Sequence, residues 1–310
     1  MNFIDYISEV GYPIKLIDQV IKNKKNYVYN LFIKGKLQTA PKWELKIIQK
    51  VLKDYLEEYY LKENISNNAT AYIKKTNISL NVNRHQGNSY FFVTDFKNFF
   101  PSISKDVIEE KISHILKQED YTSQKYILEI IQFQDKLQYG FPTSPIISNL
   151  IMNEFDETLN NILIDKFKND NIQYTRYADD ITISSKYKIE KNKLKTLVIN
   201  LIQDKYPFLK INEKKTRSFE KYAKNPHITG LIPLNKRNTI GKKKINKLKL
   251  NIYLLLKKRE INNNDFYKTI TSINSYLSYL YIVDKHNYNR LKYYFSDKYN
   301  EKEIKEIFKK

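Results

Sequence analysis

The chain has 310 residues, enough to bury a sizeable core and to build two or three lobes. Its 54 Lys and Arg against 34 Asp and Glu give a formal net charge of +20, which is a statement about partners and puts nucleic acid ahead of an anionic membrane surface. There is no cysteine and there are only four histidines, which excludes disulfides, argues against a structural zinc site, and leaves a hard, oxygen-bound cation as the expected metal.

No apolar run approaches the roughly 18 residues of a spanning helix, and "MNFIDYISEV" lacks a basic segment followed by an apolar one. A soluble, cytoplasmic protein with no membrane partner is expected. Six of the 54 basic residues are arginine. Arginine's rigid five-donor fork is not replaced by lysine where a phosphate or carboxylate must be gripped, so Arg84, Arg176 and Arg217 are of interest.

Residues 1–60 read mostly helical, with Leu45, Ile48, Leu52, Leu56 and Tyr59 three and four apart. "NSYFFVTDF" reads as a strand ending on Asp95. "SKDVIEEKISHIL" follows as a helix with Ser104 at its N-cap and an acidic first turn. A second helix begins within "TSPIISNLIMNEFDETLNNIL". "IQYTRYADDITISS" reads as a hairpin whose turn carries Asp179 and Asp180. From Gly241 the pattern changes to a basic amphipathic helix, "KKKINKLKLNIYLLLKKRE", with Ile245, Leu248, Ile252 and Leu255 on one face, and "SINSYLSYLYIVD" suggests another helix behind it.

Two adjacent aspartates at a hairpin tip are often only a solvated turn, because Asp hydrogen-bonds its own backbone there. The other reading is a site for two divalent cations about 3.5–4 Å apart, as in nucleotidyl transfer. That chemistry needs a further carboxylate, and a strand ending on Asp95 beside the hairpin supplies it. Magnesium needs few protein ligands, since phosphates and water complete its octahedron.

"VTDFKNFFPSI", "GFPTSPIISN", "TRYADDITIS", "LKINEKKTR" and "HITGL" resemble, in order and spacing, the successive motifs of reverse transcriptases, over roughly residues 27–295. The chain is most similar to the bacterial retron type, because "NVNRH" and "ITG" resemble two retron elements. The resemblance implies an α+β right-hand polymerase fold: N-terminal helices and fingers over 1–90, a palm with an antiparallel sheet over 91–226, and a helical thumb and RNA-recognition region over 227–310. It also implies RNA-directed DNA synthesis: a structured noncoding RNA is copied into single-stranded DNA that stays joined to RNA by priming from an RNA 2′-hydroxyl. Cofactors would be two Mg2+ ions, with Mn2+ able to substitute. Partners would be the cognate RNA, its DNA product, deoxynucleoside triphosphates and a separate effector protein in antiphage defence. The alternatives are a non-catalytic nucleic-acid-binding module on a polymerase scaffold, and a reverse transcriptase of another bacterial lineage.

Carried onto this sequence, the resemblance makes Asp95, Asp179 and Asp180 the catalytic carboxylates, with Asp95 and Asp179 as direct metal ligands. Phe96 lends a carbonyl to a metal, and Phe100 lies under the sugar of the incoming nucleotide, where a ribose 2′-hydroxyl would collide with it. Of Phe99 and Phe100, one is expected to pack in the core. Gly140 allows close approach to the nucleotide, and Lys215 is either the acid for departing pyrophosphate or a solvated lysine. Two departures stand out. Gln138 and Tyr139 precede Gly140, and the finger segment "FIKGKLQTAPKWELK" has no arginine for the triphosphate, leaving Lys34 or Lys36 as a point charge. RNA contacts are expected at Asn81, Arg84 and His85, although a lone histidine more often satisfies a loop. They are also expected at His227, Thr229 and Gly230, although Thr-Gly can be a simple turn, and at Arg237, Lys242, Lys243, Lys244 and Lys247. The tyrosines of "NSYLSYLY" are either base-stacking platforms or thumb core.

Overall fold

The computed structural model describes residues 1–33, 35–168, 171–223, 226–257 and 263–308. In chain order the elements are α1 (Phe3–Glu9), α2 (Ile14–Lys22), β1 (Val28–Ile33), β2 (Lys36–Pro41), α3 (Trp43–Leu56), α4 (Ile78–Asn83), β3 (Tyr90–Asp95), α5 (Phe99–Ser102), α6 (Lys105–Ile115), α7 (Tyr121–Ile131), α8 (Ser144–Ile151) and α9 (Asn153–Lys166). They continue with β4 (Gln173–Tyr177), β5 (Asp180–Ser185), α10 (Lys191–Lys205), β6 (Arg217–Glu220), β7 (Ile232–Pro233), β8 (Asn238–Thr239), α11 (Lys242–Lys257), α12 (Asn263–Val283), α13 (Lys285–Ser296) and α14 (Glu301–Ile307). An antiparallel sheet of four strands has the order β4-β5-β3-β6, and β1-β2 and β7-β8 are separate two-stranded ribbons.

Packing divides the chain into two compact units. The first is Met1–Lys74, Phe92–Ile183 and Ile189–Arg217; the second is Lys75–Phe91, Ser184–Lys188 and Ser218–Lys310. Both units are discontinuous in sequence, the α4 segment packing with β7, β8 and α12.

The first unit holds one large apolar core. α3 gives it Leu45, Ile48, Leu52, Tyr55 and Leu56, and α7 gives Ile127, Ile130 and Ile131. The face expected on α3 stays buried up to Leu56, but Tyr59 is 40% exposed while Tyr60 and Leu61 are buried. The cause is a π-turn over Glu57–Leu61, which inserts extra backbone per turn and rotates the following side chains off the 3.6-residue period.

One expectation is corrected and another is extended. Residues 28–41 are an antiparallel hairpin inside the stretch read as helical, paired from Val28↔Pro41 to Ile33↔Lys36. Its connection carries Gly35 at φ +75°, which glycine adopts without strain. The apolar segment after Thr143 forms two helices that break at Met152, where the backbone is at φ −86°, ψ 0°. Ser104 does sit at the N-cap of α6, but its side chain makes no cap hydrogen bond.

In the second unit, Leu248, Ile252 and Leu255 of α11 are buried and Ile245 is half-buried. α12 buries Ile273, Leu277, Leu280 and Val283. The tyrosines between them, Tyr276, Tyr279 and Tyr281, are half-buried. Tyr281 packs edge-on against Tyr288 of α13 at 5.1 Å.

Candidate active site

The carboxylates are brought together in the first unit by backbone pairing. Asp95 is the last residue of β3, and its carbonyl accepts from Asn212 N–H at 2.7 Å. One residue on, Phe96 N–H donates to the Asp179 carbonyl at 3.0 Å. These bonds fix the end of β3 between the β4–β5 turn on one side and the 210–216 loop on the other. That loop is braced by Thr216, whose hydroxyl lies 2.7 Å from that of Thr94 on β3, and it presents Lys215 to Asp95. The Lys215 ammonium donates to Asp95 Oδ2.

The electrostatics describe a site short of positive charge. Asp95 Oδ1 is buried and has no hydrogen-bond partner. Burial, the Asp179 charge and the Asp95 charge push the Asp180 carboxyl up to about 7. Burial also raises Asp179, with Asp95 adding to the effect, while Lys215 and Lys36 oppose it. The hydrogen bond to Asp95 holds Lys215 above the usual ammonium range. Asp179 and Asp180, each raised by burial and by neighbouring carboxylate charge, beside an orphaned Asp95 oxygen, suit a divalent cation, which would relieve both conditions. In their present arrangement the described residues form no group of three or more His, Cys, Asp or Glu able to hold a metal ion, and Lys215 takes one of the Asp95 oxygens.

Around the carboxylates, Phe99 stacks on Phe96 with ring centroids 5.5 Å apart and planes 17° apart. Phe100 meets Phe99 at 5.4 Å and packs roughly perpendicular to the Tyr139 ring, also at 5.4 Å. Both phenylalanines are buried in the core, Phe99 against Phe96 and Phe100 at the layer next to Tyr139. Burial and the Asp179 charge raise the Tyr139 phenol, and the same causes act on Tyr72. Nothing in the sequence marks Tyr72, and Tyr139 is visible there only as a departure before Gly140. Gln138 turns inward, donating to the Phe133 carbonyl at 2.6 Å. Gly140 is closely approached, but by protein: a Cβ there would lie 2.5 Å from the Thr39 carbonyl oxygen and 2.8 Å from Ala40 Cα of β2. Lys36 begins β2, close enough to act on Asp179. Lys34 lies outside the described residues.

Arg176 and Asp156 form a fully buried ion pair. Arg176 grips a carboxylate, as its type suggests, but the partner on α9 could not be read from sequence.

In the second unit, Asn81 and His85 are fully buried. His85 Nδ1 lies 2.7 Å from the Ser184 hydroxyl, and burial, with Arg84 beside it, drives the imidazole down to about 3, so the ring is neutral. Asn88 donates to the same hydroxyl at 2.9 Å. Asn81 donates to the Thr229 hydroxyl at 3.3 Å. Thr229 and Gly230 are the turn between Ile228 and Leu231, with φ +45° and +90°. Arg84, Gly230, Arg237, Lys242, Lys243, Lys244 and Lys247 are exposed, and His227 is half-buried. Arg237, Lys242, Lys249 and Arg290 line a groove of about 860 Å³ between α11 and α13.

The chain matches the family model of reverse transcriptases (RNA-dependent DNA polymerases) over residues 22–258. It is 30% identical over 272 residues to the retron Ec73 reverse transcriptase of Escherichia coli, covering 83% of each chain. The chain belongs to the retron reverse transcriptases. It is also 26% identical to the Escherichia coli retron Ec83 enzyme, over 87% of this chain and 84% of that one. Among solved structures, telomerase from Candida albicans in complex with a fragment of telomeric RNA aligns over 90% of this chain and 60% of that one, at 12% identity and a TM-score of 0.44. At that level of likeness it adds nothing to the assignment.

Membership makes the fold that of a right-hand polymerase and the activity RNA-directed DNA polymerisation, with an RNA template, deoxynucleoside triphosphates and a divalent metal. No helix among the described residues is long and apolar enough to cross a membrane.

Proposed function

We propose that this retron polymerase copies a structured noncoding RNA into single-stranded DNA, starting from a 2′-hydroxyl of that RNA, and that it serves antiphage defence in the bacterial cytoplasm with a separate effector protein. The observation that supports a working catalytic centre is the convergence of Asp95, Asp179 and Asp180, with one buried carboxylate oxygen unpartnered and Asp180 pushed up to about 7. A binding-only protein gains nothing by gathering carboxylates against a polyanion.

Asp95 and Asp179 would hold two Mg2+ ions, with Mn2+ able to substitute, and Asp180 would add negative charge behind them. When bound, the ions lower the barrier by activating the attacking hydroxyl and neutralising the triphosphate. The chain's own groups do the rest. Lys215, kept protonated beside Asp95, would give its proton to departing pyrophosphate. Lys36 would meet the triphosphate. Phe100, with Tyr139 against its ring, would bar a 2′-hydroxyl by contact. Exposed Arg84, Arg237, Lys242, Lys243, Lys244 and Lys247 would neutralise RNA phosphates, which gives affinity without sequence information.

Sequencing the nucleic acid that copurifies with the protein tests this reading. The expected result is one folded RNA species joined through a branched nucleotide to DNA complementary to part of it. Linear complementary DNA with no branch would reject the priming mode, and a mixture of cellular RNAs would reject a cognate template.

A further inference from the structure

We propose that Arg176 is a positioning residue for the catalytic turn: from inside the core it clamps the backbone immediately before Asp179. The guanidinium is fully buried, and its donors are disposed in two directions. Nε donates to both Asp156 oxygens at 2.9 and 3.0 Å, and Nη2 donates to Oδ2 at 2.7 Å. Nη1 points the other way, donating to Asn149 Oδ1 at 3.2 Å and to the Ala178 carbonyl at 3.0 Å.

The side-chain acceptors are themselves restrained. Asp156 Oδ1 also accepts the Tyr174 hydroxyl at 2.6 Å, and Asn149 is tied to the Ala71 carbonyl at 2.9 Å. The Arg176 main chain is held as well, donating to Asn68 at 2.8 Å and accepting from Thr70 at 2.9 Å. The fork therefore has a fixed base and one remaining direction of action, toward Ala178.

Ala178 needs holding. Its φ is +59°, in the left-handed region that is strained for a residue with a Cβ, and such conformations persist only where the surroundings over-determine them. The Nη1 bond fixes the carbonyl of this residue, and the Phe96 N–H bond fixes the carbonyl of the next, Asp179. Asp179 is thus gripped on both sides, by the core and by the strand that carries Asp95. A lysine could place one charge beside Asp156 but could not also reach Ala178 in a second fixed direction. Stability alone does not account for the pair, since a buried ion pair is often replaceable by neutral groups at no loss.

The inference rests on the reading of Asp179 as a metal ligand, and the test separates the two. Arg176→Met alone strands a buried carboxylate and is expected to fold poorly. The double variant R176M/D156N removes both charges and leaves an oxygen for the Tyr174 hydroxyl. Its melting temperature is expected to stay within a few degrees of the parent. Amide exchange over 175–182, followed by mass spectrometry on the metal-free protein, is expected to accelerate at least tenfold, with peptides from α3 and α7 unchanged. Mn2+ affinity, read by its electron paramagnetic resonance signal, should weaken severalfold, and kcat should fall at least tenfold while KM for the nucleotide changes less than twofold. Tyr174→Phe, which spares the Ala178 bond, should leave turn exchange and kcat as in the parent. Unchanged exchange and kcat in R176M/D156N would overturn the proposal, as would an equal loss of kcat in Tyr174→Phe. Faster exchange with unchanged Mn2+ binding and kcat would uphold the clamp and reject Asp179 as the ligand.

Discussion

Replacing Gly140 with alanine tests how the finger hairpin is seated near the carboxylates. The added Cβ would lie 2.5 Å from the Thr39 carbonyl oxygen, 2.8 Å from Ala40 Cα and 2.9 Å from Ala40 Cβ. None of these is the far end of a flexible side chain. Reaching an ordinary separation of about 3.4 Å means opening the closest approach by about 0.9 Å (3.4 − 2.5). β2 is paired to β1 along its whole length, so the hairpin must move as a body and take Lys36 with it. Overpacking of this kind costs about 1–3 kcal/mol, and each kcal/mol lowers Tm by roughly 2–4 °C in a unit of this size. Calorimetry should show that loss, and steady-state kinetics on an RNA template should show a KM for deoxynucleotide raised severalfold. Gly87→Ala, where an added Cβ meets nothing within 4 Å, serves as the control and should leave both unchanged. A G140A protein with parental Tm and KM would refute the seating argument.

Phe100→Val should raise ribonucleotide use relative to deoxyribonucleotide by at least tenfold in kcat/KM, whereas Phe99→Leu, in the stacked core pair, should cost stability and leave selectivity alone; the reverse pattern would assign the wrong phenylalanine. For Asp180 the folded carboxyl sits near 7 and the unfolded one near 3.8, so the native state binds the extra proton between those values. Its contribution to the metal-free protein therefore becomes less favourable as pH rises from about 4 to 7, and is constant outside that window. Metal binding should accordingly release protons near neutrality, and Asp180→Asn should reduce both the release and the pH dependence of Mn2+ affinity; proton uptake on binding would contradict the assignment. Joint replacement of exposed Lys242, Lys243 and Lys247 by Gln should weaken all RNAs alike and reduce the slope of log K against log salt by up to about 0.9 for each phosphate no longer neutralised. Weakening confined to one RNA would show base readout instead.

The palm elements were legible because the sequence signals and the burial agree. β3 ends where "YFFVTD" ends, and a two-residue turn separates the strands around Ala178 and Asp179. The β1–β2 hairpin was hidden for the opposite reason. Several of its apolar residues face out, Phe32 being 75% exposed, Leu37 58% and Ile33 41%, so no alternation of burial marks it, and the strong helical period of α3 extended the helical reading over it. Tyr59 failed because a π-turn changes the period at a point where the composition does not change. In the site, the aspartates could be named from their neighbours in sequence. Gly140's partner could not, since Thr39 and Ala40 are about a hundred residues away in the chain, and neither could Asp156. His85 and Asn81 are polar residues in a polar stretch, and only the fold shows that both are buried.

The central claim is tested most directly by RNA-templated incorporation of deoxynucleotides by Asp179→Asn beside the parent, across a Mg2+ titration, with RNA binding and Tm measured on the same samples. An amide cannot neutralise a cation as a carboxylate does, so the account predicts incorporation reduced by on the order of 10³-fold or more at every Mg2+ concentration, with RNA affinity and Tm close to the parent. Incorporation within tenfold of the parent would contradict it.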